Sequence, residues 1–449
     1  MMLCPMRLEP PGRIVSPYVQ RTFTVAGALL ISLAWLVPLV AAEDRSIDFD
    51  RDVAPILVDA CLSCHGGDEP KAGLNLLDAA SALRGGDSGK VIVPGNSDAS
   101  LLWQFVDSDQ MPPEYPLGLR DKELLRDWIA SGARWGTDPI DPLNFTTRGR
   151  AGRDWWSLRP LSRPTVPRIG RFLMHNPIDA FIAARLNSQR LTASPPATPR
   201  VLIRRLYFDL LGLPPGNDDV SRWQRVFTRS RAEATKRLVS ELLASRHYGE
   251  RWGRHWLDVV RFGESQGFER DKLRPDAWYY RQWVIDAMNR DLPYHQFVRQ
   301  QIAGDLLVPN DPEAITATGF LVAGPWDEVG QSQRSAAMKA VVRQDEIEDY
   351  VGTIGQTFLG LTVHCARCHD HKFDPISQRE YYRLAAAVAG IHHGSRQVMT
   401  PQDLQHSVYA VVPSSAEPTY VLHRGNPSSP LERVFPGGVA AVAGVDAEF

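Results

Sequence analysis

The sequence predicts a mainly α-helical protein, in which a small helical module is joined by a proline-rich linker to a larger all-helical domain. Three observations predict it. Apolar residues recur at helical spacing along most of the chain, as in Leu124, Leu125, Trp128 and Ile129, or Leu202, Leu206 and Leu210. No run of alternating residues argues for a large sheet. Between 137 and about 175 the periodicity lapses, and Pro139, Pro142, Pro160, Pro164 and Pro167 recur instead.

A chain of 449 residues has room for two or three domains. Its formal net charge of −2 leaves no basic footprint, so no nucleic-acid partner is expected. Arg7, Arg13 and Arg21 precede an apolar run from Phe23 to about Val40, and Val40-Ala41-Ala42 offers small residues for cleavage. Residues 1–42 therefore read as a signal peptide, with the mature chain starting at Glu43 in a periplasmic or other extracytoplasmic compartment. An uncleaved anchor is the alternative, because the run is almost long enough to span a bilayer, although Pro38 interrupts it. Cys4 falls in the removed part, leaving four of the five cysteines.

Those four stand in two copies of one pattern. Cys61-Leu62-Ser63-Cys64-His65 and Cys365-Ala366-Arg367-Cys368-His369 both have the C-x-x-C-H spacing that attaches c-type haem. Two thiols on one turn each add to a vinyl group on the same porphyrin edge. The next residue then sets an imidazole under the iron as proximal ligand. The same spacing also serves a redox thiol pair, a small zinc site or a local disulfide.

Residues 45–136 read as one small domain. Phe49, Val53, Ile56 and Leu57 predict a helix before Cys61, and Pro55 requires that helix to begin close to it. Gly85-Gly86 and Pro94-Gly95 mark turns, and Ser97 or Asp98 caps a short helix through Leu101, Leu102 and Phe105. Met111-Pro112-Pro113 comes next, then a helix from Asp121 to about Ala133. Helix, C-x-x-C-H, loops, Met-Pro, helix is an order that resembles a class I cytochrome c. The resemblance implies His65 as proximal and Met111 as distal iron ligand. A thioether is a soft donor that favours ferrous iron and raises the potential. The other reading of Met111 is a core gap-filler.

Within the 137–175 linker, Trp155 and Trp156 are expected to dock it on a neighbouring domain. From 176 to 395 the pattern is helical. Asn176-Pro177 opens a helix with an apolar stripe of Ile178, Phe181, Ile182 and Leu186; Thr198-Pro199 opens another that ends at Gly212. Further helices are expected near 232–245, 248–261, 276–290 and 335–360.

Three segments then carry a family resemblance. Arg204-Arg205-Leu206-Tyr207-Phe208-Asp209-Leu210-Leu211-Gly212-Leu213-Pro214-Pro215, the stretch from Tyr248-Gly249-Glu250-Arg251 to Leu257-Asp258, and Cys365 through Asp374-Pro375-Ile376 resemble the planctomycete-specific cytochrome 2 domain, DUF1549. The upstream module resembles its usual companion, planctomycete cytochrome C. The resemblance covers 45–395 and implies haem and electron movement. Such chains commonly continue into a further domain, DUF1553. This one stops at Phe449, so 396–449 reads as a linker or the start of a truncated further domain.

Around the second motif, His364 and His371 flank His369, and Lys372 and Asp374 follow. His371 is too close to His369 to reach the opposite face of the same iron, so a propionate or backbone contact is expected for it. Distal candidates are His392, His393, His255, Met338 and Met399, or the position is open. Zinc held by Cys365, Cys368 and one or both of His369 and His371, or a Cys365–Cys368 disulfide, are the competing readings. His255 and Asp258, near Glu250, Arg251, Arg254 and Arg261, suit an anion or metal site or a charged helix face. Trp278, Tyr279, Tyr280 and Trp283 suit sugar stacking or packing.

The expected function is that of an exported c-type cytochrome with haem c at one or both motifs, passing electrons to redox partner proteins. That work needs no catalytic residue. The alternatives are a dihaem peroxidase-like oxidoreductase with an open second haem, and a monohaem module that binds a polysaccharide or a partner in a membrane-associated complex.

Overall fold

Asp48 caps the turn Phe49–Val53, its side chain accepting from the Arg51 N–H at 2.8 Å. That turn runs into helix Ala54–Ala60, with Pro55 in the first turn, where its missing N–H costs nothing. The computed structural model describes residues 46–67, 69–168, 176–399 and 405–442. The expected signal peptide and Cys4 lie outside the described residues.

In the small module, Val53, Leu57 and Val58 bury against Leu125, Trp128 and Ile129 of helix Leu119–Ala130, with Leu76, Ile92 and Val106 closing the core. Phe49, Trp128 and Trp135 meet at ring separations of 4.4–5.6 Å, fixing where first and last helices cross. Ser100, rather than Ser97 or Asp98, is the N-cap of helix Leu101–Asp107. Its hydroxyl donates to the Asn96 carbonyl at 2.8 Å.

The linker is fastened, though not by its tryptophans. Trp155 and Trp156 are exposed, contrary to expectation. Leu158 packs on the large core instead, Arg148 bonds Asp59 of the small module, and the Ala151 N–H donates to the Phe373 carbonyl at 2.9 Å. Hydrogen bonds hold this segment together with Ile140 and Phe145, which pack on the small module's core, and Leu158 on the large one.

The larger body is built from helices Pro177–Ser188, Pro199–Leu211, Asn217–Phe227, Arg231–Leu243, Arg246–Val259, Trp278–Asn289, Tyr294–Leu307, Ala336–Ile354 and Gln378–Val388, with shorter turns between. Asn176 caps the first of these, accepting from the Asp179 N–H at 3.0 Å. Its buried face is Ala180 and Ala183, whereas Ile178, Phe181 and Ile182 of the expected stripe are exposed. Tyr280, Trp283, Phe297, Phe320, Tyr350 and Tyr381 dominate the main core. Gly249 lets Arg246–Val259 lie directly on Trp278–Asn289: a Cβ there would stand 2.4 Å from the Ile285 carbonyl oxygen.

Two antiparallel hairpins add to the helical body. Ile391–Met399 pairs with Gln405–Pro413, and Thr419–Leu422 with Pro430–Val434. Val411, Val421, Leu422 and Val434 enter the main core. The larger domain is helical as expected, and the two short ribbons follow its last helix, at 391–434. Among the described residues, no helix is long and apolar enough to cross a membrane.

Candidate functional site

Cys61 ends helix Ala54–Ala60 and opens the turn Leu62–His65. The His65 N–H donates to the Cys61 carbonyl at 2.8 Å, so both thiols and the imidazole ride on a single helical turn. Both thiols are free. Burial pushes the Cys61 thiol up to about 12, which keeps it protonated. His65 Nδ1 lies 3.2 Å from the Lys71 carbonyl oxygen. With Nδ1–H donating there, the Nε2 lone pair is left for a metal.

This turn forms one wall of a cavity of about 340 Å³. Met111, Pro112 and Pro113 line it too, and Leu74, Leu76, Val91, Leu102, Phe105 and Val106 make it apolar. Met111 is 42 % exposed, so it is not filling a gap in the core. Its N–H donates to the Phe105 carbonyl at 3.0 Å, tying the start of its loop to helix Leu101–Asp107. Met111, 46 residues beyond His65 in sequence, thus borders the same apolar space as Cys61, Cys64 and His65.

The second motif has a different setting. Its backbone follows a 3-10 turn, Val363–Arg367. Arg367 pairs with Asp345 and Glu348, and its carbonyl accepts from the Tyr382 hydroxyl at 3.0 Å and from Gln378 Nε2 at 2.9 Å. Cys365, Cys368 and His369 are exposed, and both thiols are free, with no disulfide between them. A Cβ at Gly425 would lie 2.9 Å from Cys368 Sγ, so glycine there keeps that sulfur uncrowded.

His371 is buried and makes the expected backbone contact. Its Nδ1 accepts from the Phe373 and Asp374 N–H groups at 3.1 and 2.7 Å, and Nε2 lies 2.9 Å from Thr362 Oγ1. Both ring nitrogens are engaged, which takes His371 out of the zinc set. Among the described residues, no group of three or more His, Cys, Asp or Glu is placed to hold a metal ion.

The distal candidates are dispersed. His393 is enclosed by Trp326, Tyr350 and Tyr409, with Nδ1 3.2 Å from the Tyr409 hydroxyl. His392 borders a cleft with Arg343 and Tyr420. His255 meets Trp252 edge-on at 5.6 Å, and Met338 and Met399 are exposed. His255 and Asp258 are exposed on a helix whose nearby ion pair is His247–Glu250 at 2.7 Å, a charged helix face. Tyr280 and Trp283 are buried in the main core, so that half of the stripe is packing, while the exposed Trp278 stacks on the half-buried Tyr279 at 3.9 Å.

Two family models match the sequence. Residues 61–115 match planctomycete cytochrome C, and residues 177–393 match a protein family of unknown function, DUF1549. The chain joins a planctomycete cytochrome C domain to a DUF1549 domain. Comparison with curated proteins and with solved structures returned no match. The cytochrome C match begins at Cys61 and ends at Tyr115, so it contains His65 and Met111. This segment is therefore a c-type cytochrome domain, a type that binds haem c. The second C-x-x-C-H lies inside the DUF1549 domain.

The cytochrome domain's residues fit the cofactor. Paired thiols, an imidazole with its outer nitrogen free, and a thioether at the border of one apolar cavity form a donor set that suits haem c. At the DUF1549 motif both thiols and the His369 imidazole are exposed, and glycine at 425 keeps space beside Cys368. Sequence reasoning missed Lys71, which acts through its carbonyl and carries no side-chain signal. It also missed the pairing of Asp59 with Arg148, 89 residues apart.

Proposed function

We propose that this cytochrome C–DUF1549 chain is an exported, dihaem c-type cytochrome that carries electrons between redox partner proteins. The observation that carries the reading is the cavity bordered by Cys61, Cys64, His65 and Met111. Cys61 and Cys64 tether the porphyrin, and His65 Nε2 and the Met111 sulfur bind its iron. Bound there, haem supplies reversible one-electron chemistry. The Lys71 carbonyl orients the imidazole, the Met111 thioether favours the ferrous state, and the apolar walls exclude water; ligand type and burial together set the potential.

Cys365, Cys368 and His369 hold the second haem, at the surface, where electrons pass to a partner without crossing a thick protein layer. Export to an extracytoplasmic compartment follows from the reading of residues 1–42. A haem count by pyridine haemochrome on the exported protein tests the stoichiometry. Two haems per chain are expected, falling to one in Cys365→Ala/Cys368→Ala. One haem in both proteins contradicts the dihaem reading and leaves a monohaem carrier.

A further inference from the structure

We propose that Arg148, in the linker, is a positioning residue that clamps the Met111 loop against the helix leading into the first C-x-x-C-H motif. The proposal rests on the reading of Met111 as the sulfur donor to the haem.

Arg148 bridges two elements. Its backbone N–H and its Nε–H donate to the two oxygens of Asp59, each at 2.8 Å. Asp59 stands two residues before Cys61 on helix Ala54–Ala60. The guanidinium carbon lies 5.1 Å from the centre of the Tyr115 ring. Tyr115 stands four residues after Met111. One side chain therefore ties the haem-tethering helix to the loop that presents the sulfur.

The loop needs such a tie. Pro112, Pro113 and Pro116 carry no N–H and cannot anchor it by donating. Tyr115 is 64 % exposed, so burial does little to hold it. Arg148, Asp59 and Ala60 border a cleft of about 570 Å³ with Leu117, and Ala60 also borders the haem cavity. The clamp thus sits one residue away from the cofactor space.

Arg148 itself stands on a fixed base. The Thr147 N–H donates to the Arg150 carbonyl at 2.8 Å, and Arg150 Nη2 donates to the Pro142 carbonyl at 2.5 Å. Ala151 then reaches the Phe373 carbonyl, four residues past His369. The linker therefore fastens the sulfur-bearing loop to the body that carries the second motif.

The test is an imidazole titration of the ferric holoprotein, which displaces the thioether and is read by loss of the sulfur-to-iron charge-transfer absorption. Arg148→Ala lowers the imidazole concentration for half-displacement about fivefold to tenfold, and Tyr115→Leu lowers it in the same direction. Because both act through one contact, the double variant is no looser than the looser single variant. Tyr115→Leu changes an exposed ring and keeps the test available should Arg148→Ala not mature. A titration midpoint that neither substitution moves, or fully additive effects, overturns the clamp. Met111→Ala separates the two readings: if it retains the charge-transfer absorption, Met111 is not the donor, whatever Arg148 does.

Discussion

A histidine's partners decide what it can do here. His65 spends Nδ1 on the Lys71 carbonyl and leaves Nε2 open, whereas His371 spends both nitrogens on its own turn and on Thr362. His393 is a third case. Enclosure by aromatic rings, with Arg274 and Arg343 nearby, pushes its pKa down to about 3. The unfolded chain protonates this histidine near pH 6.5. Between about pH 6.5 and 3 the unfolded state holds a proton that the folded state lacks, so stability falls as pH drops, by up to about 1.4 kcal/mol per unit. His371, also lowered by burial, pulls the same way. Urea unfolding across that window is expected to show the slope, and His393→Phe to flatten it; an unchanged slope contradicts the assignment. At this scale the sequence was most legible where the chemistry demands fixed spacing. Cys61, Cys64 and His65 stand out by their spacing, and Met111 by the two prolines that follow it, and the fold brings all four to one cavity. The Lys71 carbonyl and the Asp59–Arg148 pair were silent, because neither a backbone acceptor nor a contact across 89 residues leaves a local pattern.

Among the elements, helices were legible where a cap and an apolar period coincide, as at Asn176-Pro177 and at Gly212. Gln378–Val388 had its own signal, a capping box of Ser377 and Glu380, that the periodicity reading passed over. The hairpins were not legible. Strands of four to nine residues in two-stranded ribbons gain their stability from the helices beneath them, so their own alternation stays weak. The Ile178 stripe misled because residue type predicts burial only where a partner face exists, and here Ala180 and Ala183 make the contact. The close crossing of Arg246–Val259 on Trp278–Asn289 is expected to depend on Gly249. Gly249→Ala forces the helices apart and costs about 1–3 kcal/mol by chemical denaturation, with the haem absorption unchanged. A neutral effect would mean that the crossing is not as tight as its 2.4 Å approach indicates.

Taken whole, the chain is a haem-binding module and a helical body fastened by a linker that bonds to both. The module's core and the main body's core are separate clusters, and between them runs a segment held by Asp59, Pro142 and Phe373. The arrangement of module, linker and body was legible from the break in periodicity. The fastening was not, since exposed Trp155 and Trp156 looked like the anchors. The central claim, that haem is bonded to the sulfurs of Cys61 and Cys64, is open to peptide mass mapping of the exported protein, unfolded and digested after expression with a working haem-maturation system. The account predicts a peptide spanning Cys61–His65 that carries the mass of haem and absorbs in the Soret band. A peptide of unmodified mass, from colourless protein, would contradict it.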